Sequence, residues 1–403
     1  MAQNTVLISG AGIAGPAAAY WLRRAGFEPT VVERAPAPRP GGQAVDLRGA
    51  GRTVVERMGL LDRVVEVALE QQGFACVDAR GRITARMPAT AFGGEGIVSE
   101  IEVLRGDLCD VLYGASLADA DYLFDDTITA IDQDEDGVGV AFEKAPSRRF
   151  GLVVGADGLH STVRRLAFGP DDTCIRPLHL YNAWFTAPAG IDLDGWFLMY
   201  NAPGGLVAGA RPGRGGGEIK AALSFRSAPL PLDGLDRAAQ QDLLARRFAG
   251  VGWEVPWLLD AMRASTDFYF DSVGQVQLDA WSRGRVVLLG DAGYCPTPLS
   301  GMGTSLSLVG AHVLAGELAA AGGDHRVAFP RYQERLAGYV AQAQQLPPGG
   351  VGGFAPNSAV MIRMRAASMR WMTRWPLRKL MAGQFTKADA IELPGYEEVA
   401  EAA

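Results

Sequence analysis

The stretch that most limits what this chain can fold into is Gly10-Ala11-Gly12-Ile13-Ala14-Gly15. It lies between an apolar run, NTVLIS at 4–9, and a segment, 14–26, whose apolar residues recur at helical spacing and stop at Gly26. A second apolar run, PTVVE at 29–33, ends in Glu33. Strand, glycine turn, helix and strand within about 30 residues make a βαβ unit. In such a unit the first glycine allows the tight turn, the second lets a pyrophosphate touch the backbone, and the third lets helix pack on strand. The helix start offers unpaired N–H groups and the positive end of a dipole to phosphate. An acid at the end of the second strand stands where ribose hydroxyls are bound. Gly10, Gly12, Ala14, Gly15 and Glu33 are therefore candidate dinucleotide ligands. The motif does not separate NAD from FAD.

Two later stretches repeat the pattern of an apolar strand running into glycine and an acid. In LVVGADGLHSTVRR (152–165), Asp157 precedes a helix carrying Arg164 and Arg165. Alone, this is equally a turn with a capping acid. In VVLLGDAGYCPTPLSGMGTSL (286–306), Asp291 follows the strand, and Pro296 and Pro298 stiffen the loop and remove donors. Gly301 and Gly303 then bring bare backbone to a helix start around Met302, Thr304 and Ser305, again a place for negative charge. Read alone, it is also a βα turn with a structural Asp.

Between these stretches the texture changes. From about 176 to 275, strand-like segments such as WFLMY (196–200), LVAGAR (206–211) and IKAALSFR (219–226) are separated by Pro/Gly turns. The expected architecture is α/β: a Rossmann-like nucleotide domain interrupted by a mainly antiparallel sheet, with a C-terminal helix. The expected divisions are 1–175 and 276–350 for the nucleotide domain, 176–275 for the substrate domain, and 351–403 for a bridging helix and tail. Alternate residues of the middle sheet, Phe197, Met199, Leu223 and Phe225, are candidate substrate walls. Either face of such a strand could point inward.

Bulk properties narrow the function. The 403 residues are 48% hydrophobic and 21% charged, with net charge −7, which argues against nucleic acid as a partner. The four cysteines form no CxxC pair, so no zinc knuckle or redox dithiol is encoded, and a reducing cytoplasmic setting is expected. No apolar run is long enough to span a membrane, and the glycine-filled N-terminal run does not read as a signal peptide.

Taken together, the three stretches give a resemblance to the FAD-dependent monooxygenases of the para-hydroxybenzoate hydroxylase type, above all to the tetracycline-inactivating flavin monooxygenases and related tailoring enzymes. It covers nearly the whole chain. GAGIAG with Glu33 and Arg34 is similar to that family's ADP-binding site, and GADGLHS to its Asp-Gly motif serving FAD and NADPH. GDAGYCPTPLSGMGTSL resembles its Gly-Asp motif, in which the acid meets the ribityl chain. RPGGQAVDLRG (39–49) implies Asp46 near FAD and Arg39 near NADPH, and LRGDL (104–108) implies Arg105 at the FAD phosphates and ribose. Two departures stand out: Gly293-Tyr294 where the family often has Ala-His, and Ser305 where it often has Asn.

The resemblance implies that NADPH docks transiently and reduces FAD. O₂ then adds to give a flavin C4a-hydroperoxide, which hydroxylates an electron-rich aromatic or polycyclic molecule. No catalytic side chain is implied, because the flavin carries the chemistry. A monomer or weak dimer is expected. Alternatives are a reductase or dehydrogenase of a terpenoid or polyketide, and a non-enzymatic binding protein of the same fold. A halogenase is disfavoured, since GWEVPW (252–257) departs from the Trp-x-Trp-x-Ile-Pro motif. Finally, residues 357–381 carry six basic side chains and no acid. At helical spacing Met361, Met364, Ser368, Met372 and Trp375 share a stripe. This predicts a helix bridging the two domains, or alternatively one lying on a membrane surface.

Overall fold

The computed structural model describes residues 4–91, 97–232, 234–372 and 390–396. The chain opens with β1 (Thr5–Ser9), α1 (Ala14–Arg24) and β2 (Glu28–Glu33), the expected βαβ unit, with β1 and β2 paired in parallel. It continues through β3 (Ala44–Asp46), α2 (Gly49–Arg57), α3 (Leu61–Glu66), β4 (Gly73–Val77), β5 (Ile83–Pro88), β6 (Glu102–Leu104) and α4 (Arg105–Ser116). Then come β7 (Asp121–Phe124), a meander of β8 (Ile128–Gln133), β9 (Val138–Phe142) and β10 (Arg148–Phe150), β11 (Leu152–Gly155) and α5 (Thr162–Ala167). The middle segment holds β12 (Ile175–Pro188), β13 (Trp196–Ala202), β14 (Leu206–Pro212), β15 (Glu218–Arg226), α6 (Arg237–Arg247), α7 (Val255–Ala264) and β16 (Tyr269–Val276). The return consists of β17 (Ser282–Arg283), β18 (Val286–Leu288), α8 (Asp291–Tyr294), α9 (Gly303–Ala320), α10 (His325–Ala343), α11 (Gly350–Phe354) and α12 (Ala359–Met372).

The nucleotide sheet has the order β17-β18-β11-β1-β2-β7, parallel except for β17. Its inner strands are apolar on both faces, because α1, α9 and α10 cover one side and the meander with α5 covers the other. β18 lies beside β11, which lies beside β1, so segments distant in sequence end side by side at the carboxyl edge of one sheet. In an open α/β sheet that edge is where ligands bind.

The second sheet has the order β16-β12-β15-β14-β13-β4-β5. Its strands beyond 176–275 are a departure from the expected boundary. Residues 73–88 supply β4 and β5, and β4 pairs in parallel with β13. One face buries a core with α6 and α7. The other packs against α11 and α12. The C-terminal segment touches both layers. The buried residues of α12 are Ala366 and Met369, which join the substrate-sheet core, while Ile391 and Leu393 pack on the nucleotide core. Of the expected stripe, Met361 and Met364 are exposed, because Ala366 and Met369 take the sheet-facing position. Trp375 lies outside the described residues.

Candidate active site

Gly10 sits at φ +101°, a conformation that excludes a side chain, and Gly15 lies so close to the Gly10 carbonyl that no Cβ could fit. The turn therefore runs straight into α1, whose first N–H groups open on the crevice. Glu33 closes the far side. Its two oxygens accept from the Ala11 and Ala35 N–H groups, each at 2.9 Å, which fixes the carboxylate at the mouth of the turn. Arg39 Nη2 stands 3.6 Å from it with its side chain largely exposed, and Arg34 is exposed beside them.

Arg105 links the first and third motifs. Its Nη2 would lie 3.3 Å from a Cβ on Gly12, and its charge acts on the Asp291 carboxylate. The loop 39–43 holds α4 in place: Gly41 and Gln43 carbonyls accept from the Gly106 and Arg105 N–H groups at 2.7 and 3.0 Å. Among the described residues neither Arg105 nor Asp291 has an ion-pair partner. Burial pushes the Asp291 carboxyl up, and Arg105 opposes that. A Cβ on Gly303, at the start of α9, would touch only Asp291 Oδ1 at 3.6 Å. An unpaired cation, an unpaired carboxylate and bare helix starts thus line one crevice.

Beside that crevice lies a cavity of about 760 Å³. Its floor is the loop Pro298–Met302, and its roof is one face of the substrate sheet with α11 and α12. Phe74, Phe197, Met199, Trp184 and Val207 supply apolar wall. Charge enters from Asp46, Arg48, Glu102, Arg211, Lys220, Asp267 and Arg365. Asp46 Oδ2 pairs with Arg48 Nη2 at 2.8 Å, and Glu102 Oε2 with Arg211 Nη1 at 3.1 Å.

The family described as "FAD binding domain" matches residues 3–343. The chain belongs to this FAD-binding family. It is 47% identical over 355 residues to the Mycobacterium tuberculosis (strain ATCC 25618 / H37Rv) "Uncharacterized protein Rv1260", covering 88% of this chain and 95% of that one. It is 38% identical over 346 residues to a flavin-dependent monooxygenase of Legionella longbeachae, covering 86% and 88%. Its fold is similar to the crystal structure of tetracycline destructase Tet(55), with 36% identity, TM-score 0.81, and coverage of 98% and 99%. The protein is an oxidoreductase, a flavin-dependent monooxygenase.

The crevice suits FAD, whose pyrophosphate needs the bare Gly12 backbone and a cation such as Arg105, and whose polyol chain needs an acceptor such as Asp291. Several sequence-expected ligands nevertheless have protein partners in this monooxygenase. Asp157 is engaged by the start of α5: it accepts from the Ser161 hydroxyl and from the Thr162 and Val163 N–H groups at 2.8 and 3.2 Å. The capping reading describes its side chain, while its backbone borders Gly10. The Ser305 hydroxyl donates to the Arg48 carbonyl at 3.0 Å and faces α2, so it does not serve the helix start. The Met302 N–H donates to Ser300 Oγ at 3.2 Å, which leaves the α9 start to Gly303, Thr304 and Ser305. Gly301, at φ +64°, lies against Asp46, so a Cβ there would sit 3.0 Å from Oδ2. Pro298 is exposed at the head of its short turn.

Of the candidate substrate walls, Phe197 and Met199 line the cavity, but Leu223 and Phe225 are a correction. Register explains it. Met199 stands opposite Gly209, and Gly209 opposite Ala222, so the odd residues of β13 share a face with the even residues of β15. Leu223 and Phe225 therefore point to the other side and are fully buried in the core with α6 and α7.

Sequence reading gave no role to three further groups. Arg164, fully buried, donates to the Ala292 carbonyl at 2.9 Å and pairs with Asp171, clamping the second motif onto the third. Tyr294, at the departure from the usual histidine, is a core residue: its hydroxyl bonds that of Tyr332 at 2.8 Å. Glu102 gave no signal, because an acid next to apolar residues in a three-residue strand looks like an exposed edge.

Proposed function

We propose that this monooxygenase uses NAD(P)H and O₂ to hydroxylate an electron-rich aromatic or polycyclic small molecule. The supporting observation is the cavity of about 760 Å³, apolar and aromatic on most of its wall, set directly against the Pro298–Met302 loop. Its volume suits a ligand of several fused rings. The name of the relative Tet(55) favours tetracycline-like polyketides among such ligands.

When bound, the flavin supplies the redox chemistry, and the balance is substrate–H + NAD(P)H + H⁺ + O₂ giving substrate–OH + NAD(P)⁺ + H₂O. The protein orients and excludes water. Glu33, Arg105 and the Gly10–Gly15 turn hold the adenosine diphosphate half of the cofactor. Asp291 and the start of α9 hold the other half, and Asp46 and Arg48 support the Gly301 turn. Phe197, Met199 and Phe74 keep the substrate's ring plane against a dry wall. The sequence has no second GxGxxG stretch, and in this reading the reductant docks transiently, with exposed Arg39 beside Glu33 as a contact for its phosphates.

The test is NADPH consumption with O₂ uptake across aromatic polyketides and tetracyclines, followed by mass spectrometry under ¹⁸O₂. Hydroxylation predicts product carrying one labelled oxygen. Substrate-dependent NADPH oxidation that yields a reduced, unlabelled product would replace this reading with a reductase.

A further inference from the structure

The charged groups of the cavity do not cancel in pairs. Arg48 and Asp46 form one ion pair. Lys220 is held by Glu218 at 3.1 Å and donates to Thr186 at 2.8 Å. Arg365, brought in by α12, meets neutral partners instead: the Asn201 side-chain carbonyl and the Met199 sulfur. Arg211 is the remaining cation. Its guanidinium lies over the Phe197 ring, 4.0 Å from the centroid, and its acidic partner is Glu102, which is almost completely buried.

Glu102 differs from an ordinary salt-bridge acid. On β6 it stands opposite Asp46 of the antiparallel β3, and the two carboxyls are hydrogen-bonded to each other. Two carboxyls in contact hold one proton between them. Each acid has its own arginine, Asp46 with Arg48 at 2.8 Å and Glu102 with Arg211 at 3.1 Å, and Glu102 is the more deeply buried, its side chain 3% exposed against 14%, so the proton falls to Glu102. Burial first, then Asp46, push the Glu102 carboxyl up to about 8 against the pull of Arg211 and Arg48. The Asp46 carboxyl stays below its ordinary value: burial raises it, and Arg48, the bond with Glu102 and Arg211 together outweigh burial. Around neutral pH, Arg211 therefore faces a neutral acid, and its charge is not spent inside the wall.

We propose that Glu102 decides the charge class of the substrate: while it keeps its proton, Arg211 is available to an oxyanion of the bound molecule (an enolate, phenolate or carboxylate), and when it ionises it claims Arg211 for itself. This rests on the reading of the cavity as the substrate's site. Arg365 adds a second cation without an acidic partner among the described residues, bonded to Met199 and Asn201 on the same strand that carries Phe197. Among the described residues the charged groups that act on Glu102 are Asp46 and Arg48 from the β3 segment and Arg211 from β14.

The test needs neither NADPH nor O₂, so its failure is separable from failure of the hydroxylase reading. Binding of anthraquinone-2-carboxylate and of the neutral anthraquinone-2-carboxamide to the flavin-loaded protein is measured calorimetrically at about pH 6.5 and about pH 9.5, on either side of the Glu102 titration. The carboxylate should bind the wild type at least about tenfold more tightly than the amide at the lower pH, as a charge-assisted bond requires. That preference should disappear at the higher pH. Glu102→Gln, which cannot ionise, should keep it at both, and Arg211→Gln should lack it at both. A wild-type preference unchanged by pH, a Glu102→Gln variant that loses it at high pH, or no carboxylate binding at the lower pH would each overturn the proposal. Should Glu102→Gln fail to fold, infrared spectroscopy of the wild type decides. The carbonyl stretch of a protonated carboxylic acid must vanish over the same pH range as the preference, and its absence at neutral pH overturns the proposal equally.

Discussion

Replacing Gly303 by valine separates what the protein requires at the start of α9 from what the cofactor requires. A Cβ at 303 meets only Asp291 Oδ1, at 3.6 Å, an ordinary contact, and Gly303 is not at positive φ. Valine is also a somewhat better helix former than glycine, by a few tenths of a kcal/mol. The flavin-free variant should therefore unfold at or slightly above the wild-type temperature. With FAD bound, the new methyl groups occupy the space where a negatively charged reduced flavin would approach the free N–H groups of the helix. Loss of one charge-assisted bond costs about 1.5–3 kcal/mol. Spread over a two-electron couple, that is a fall of about 30–65 mV in reduction potential. Oxidised FAD should remain bound, since the Gly10–Gly15 turn, Glu33 and Arg105 are untouched. The assay is a dye-equilibration redox titration of both proteins, with stopped-flow reduction by NADPH expected to slow. A variant that binds FAD and keeps the wild-type potential would refute the placement of the flavin against this helix. A large drop in flavin-free thermal stability would show instead that the protein itself needs the glycine.

Arg105→Ala should weaken FAD binding about tenfold or more, because charge-assisted bonds of about 1.5–3 kcal/mol each are lost; an unchanged dissociation constant, read by fluorescence of released flavin, would return Arg105 to the role of a solvated helix residue. Phe225→Ala should cost about 3–5 kcal/mol of stability and leave KM near wild type, whereas Phe197→Ala should raise KM with a smaller loss of stability; denaturant titration beside steady-state kinetics tests the contrast, and the reverse pattern would mean the sheet faces are misassigned. His312 is held by burial at about 4, below its ordinary 6.5, with the Pro394 carbonyl opposing that shift. The unfolded chain therefore takes up a proton that the fold refuses as pH falls through this window, and stability should drop by at most about 1.4 kcal/mol per pH unit. His312→Gln should flatten that slope, and an equal slope in both proteins would assign the acid sensitivity elsewhere.

The βαβ unit, the return of the chain to the nucleotide sheet, and the turn glycines Gly10 and Gly15 were legible because each depends on residues close together in sequence or on one short motif. A glycine at positive φ or at a point of close approach leaves its mark on the letters themselves. The approach of Arg105 to Asp291 was not legible, since no local rule ties them.

What the tertiary structure alone decided follows from burial on two sides. β13 and β15 are apolar on both faces, so the alternation that ordinarily marks inside from outside is missing, and pairing register alone sends Phe197 to the cavity and Phe225 to the core. In α12 the helical stripe singled out Met361, and the sheet takes Met369 instead. Asp157 and Ser305 carry side chains that suit a ligand or a neighbouring backbone equally well, and only their packing shows that the backbone has taken them. The Glu102 proton lies furthest from the sequence. It exists because β3 and β6 pair in one register, Asp46 is claimed by Arg48, and Glu102 is almost completely buried.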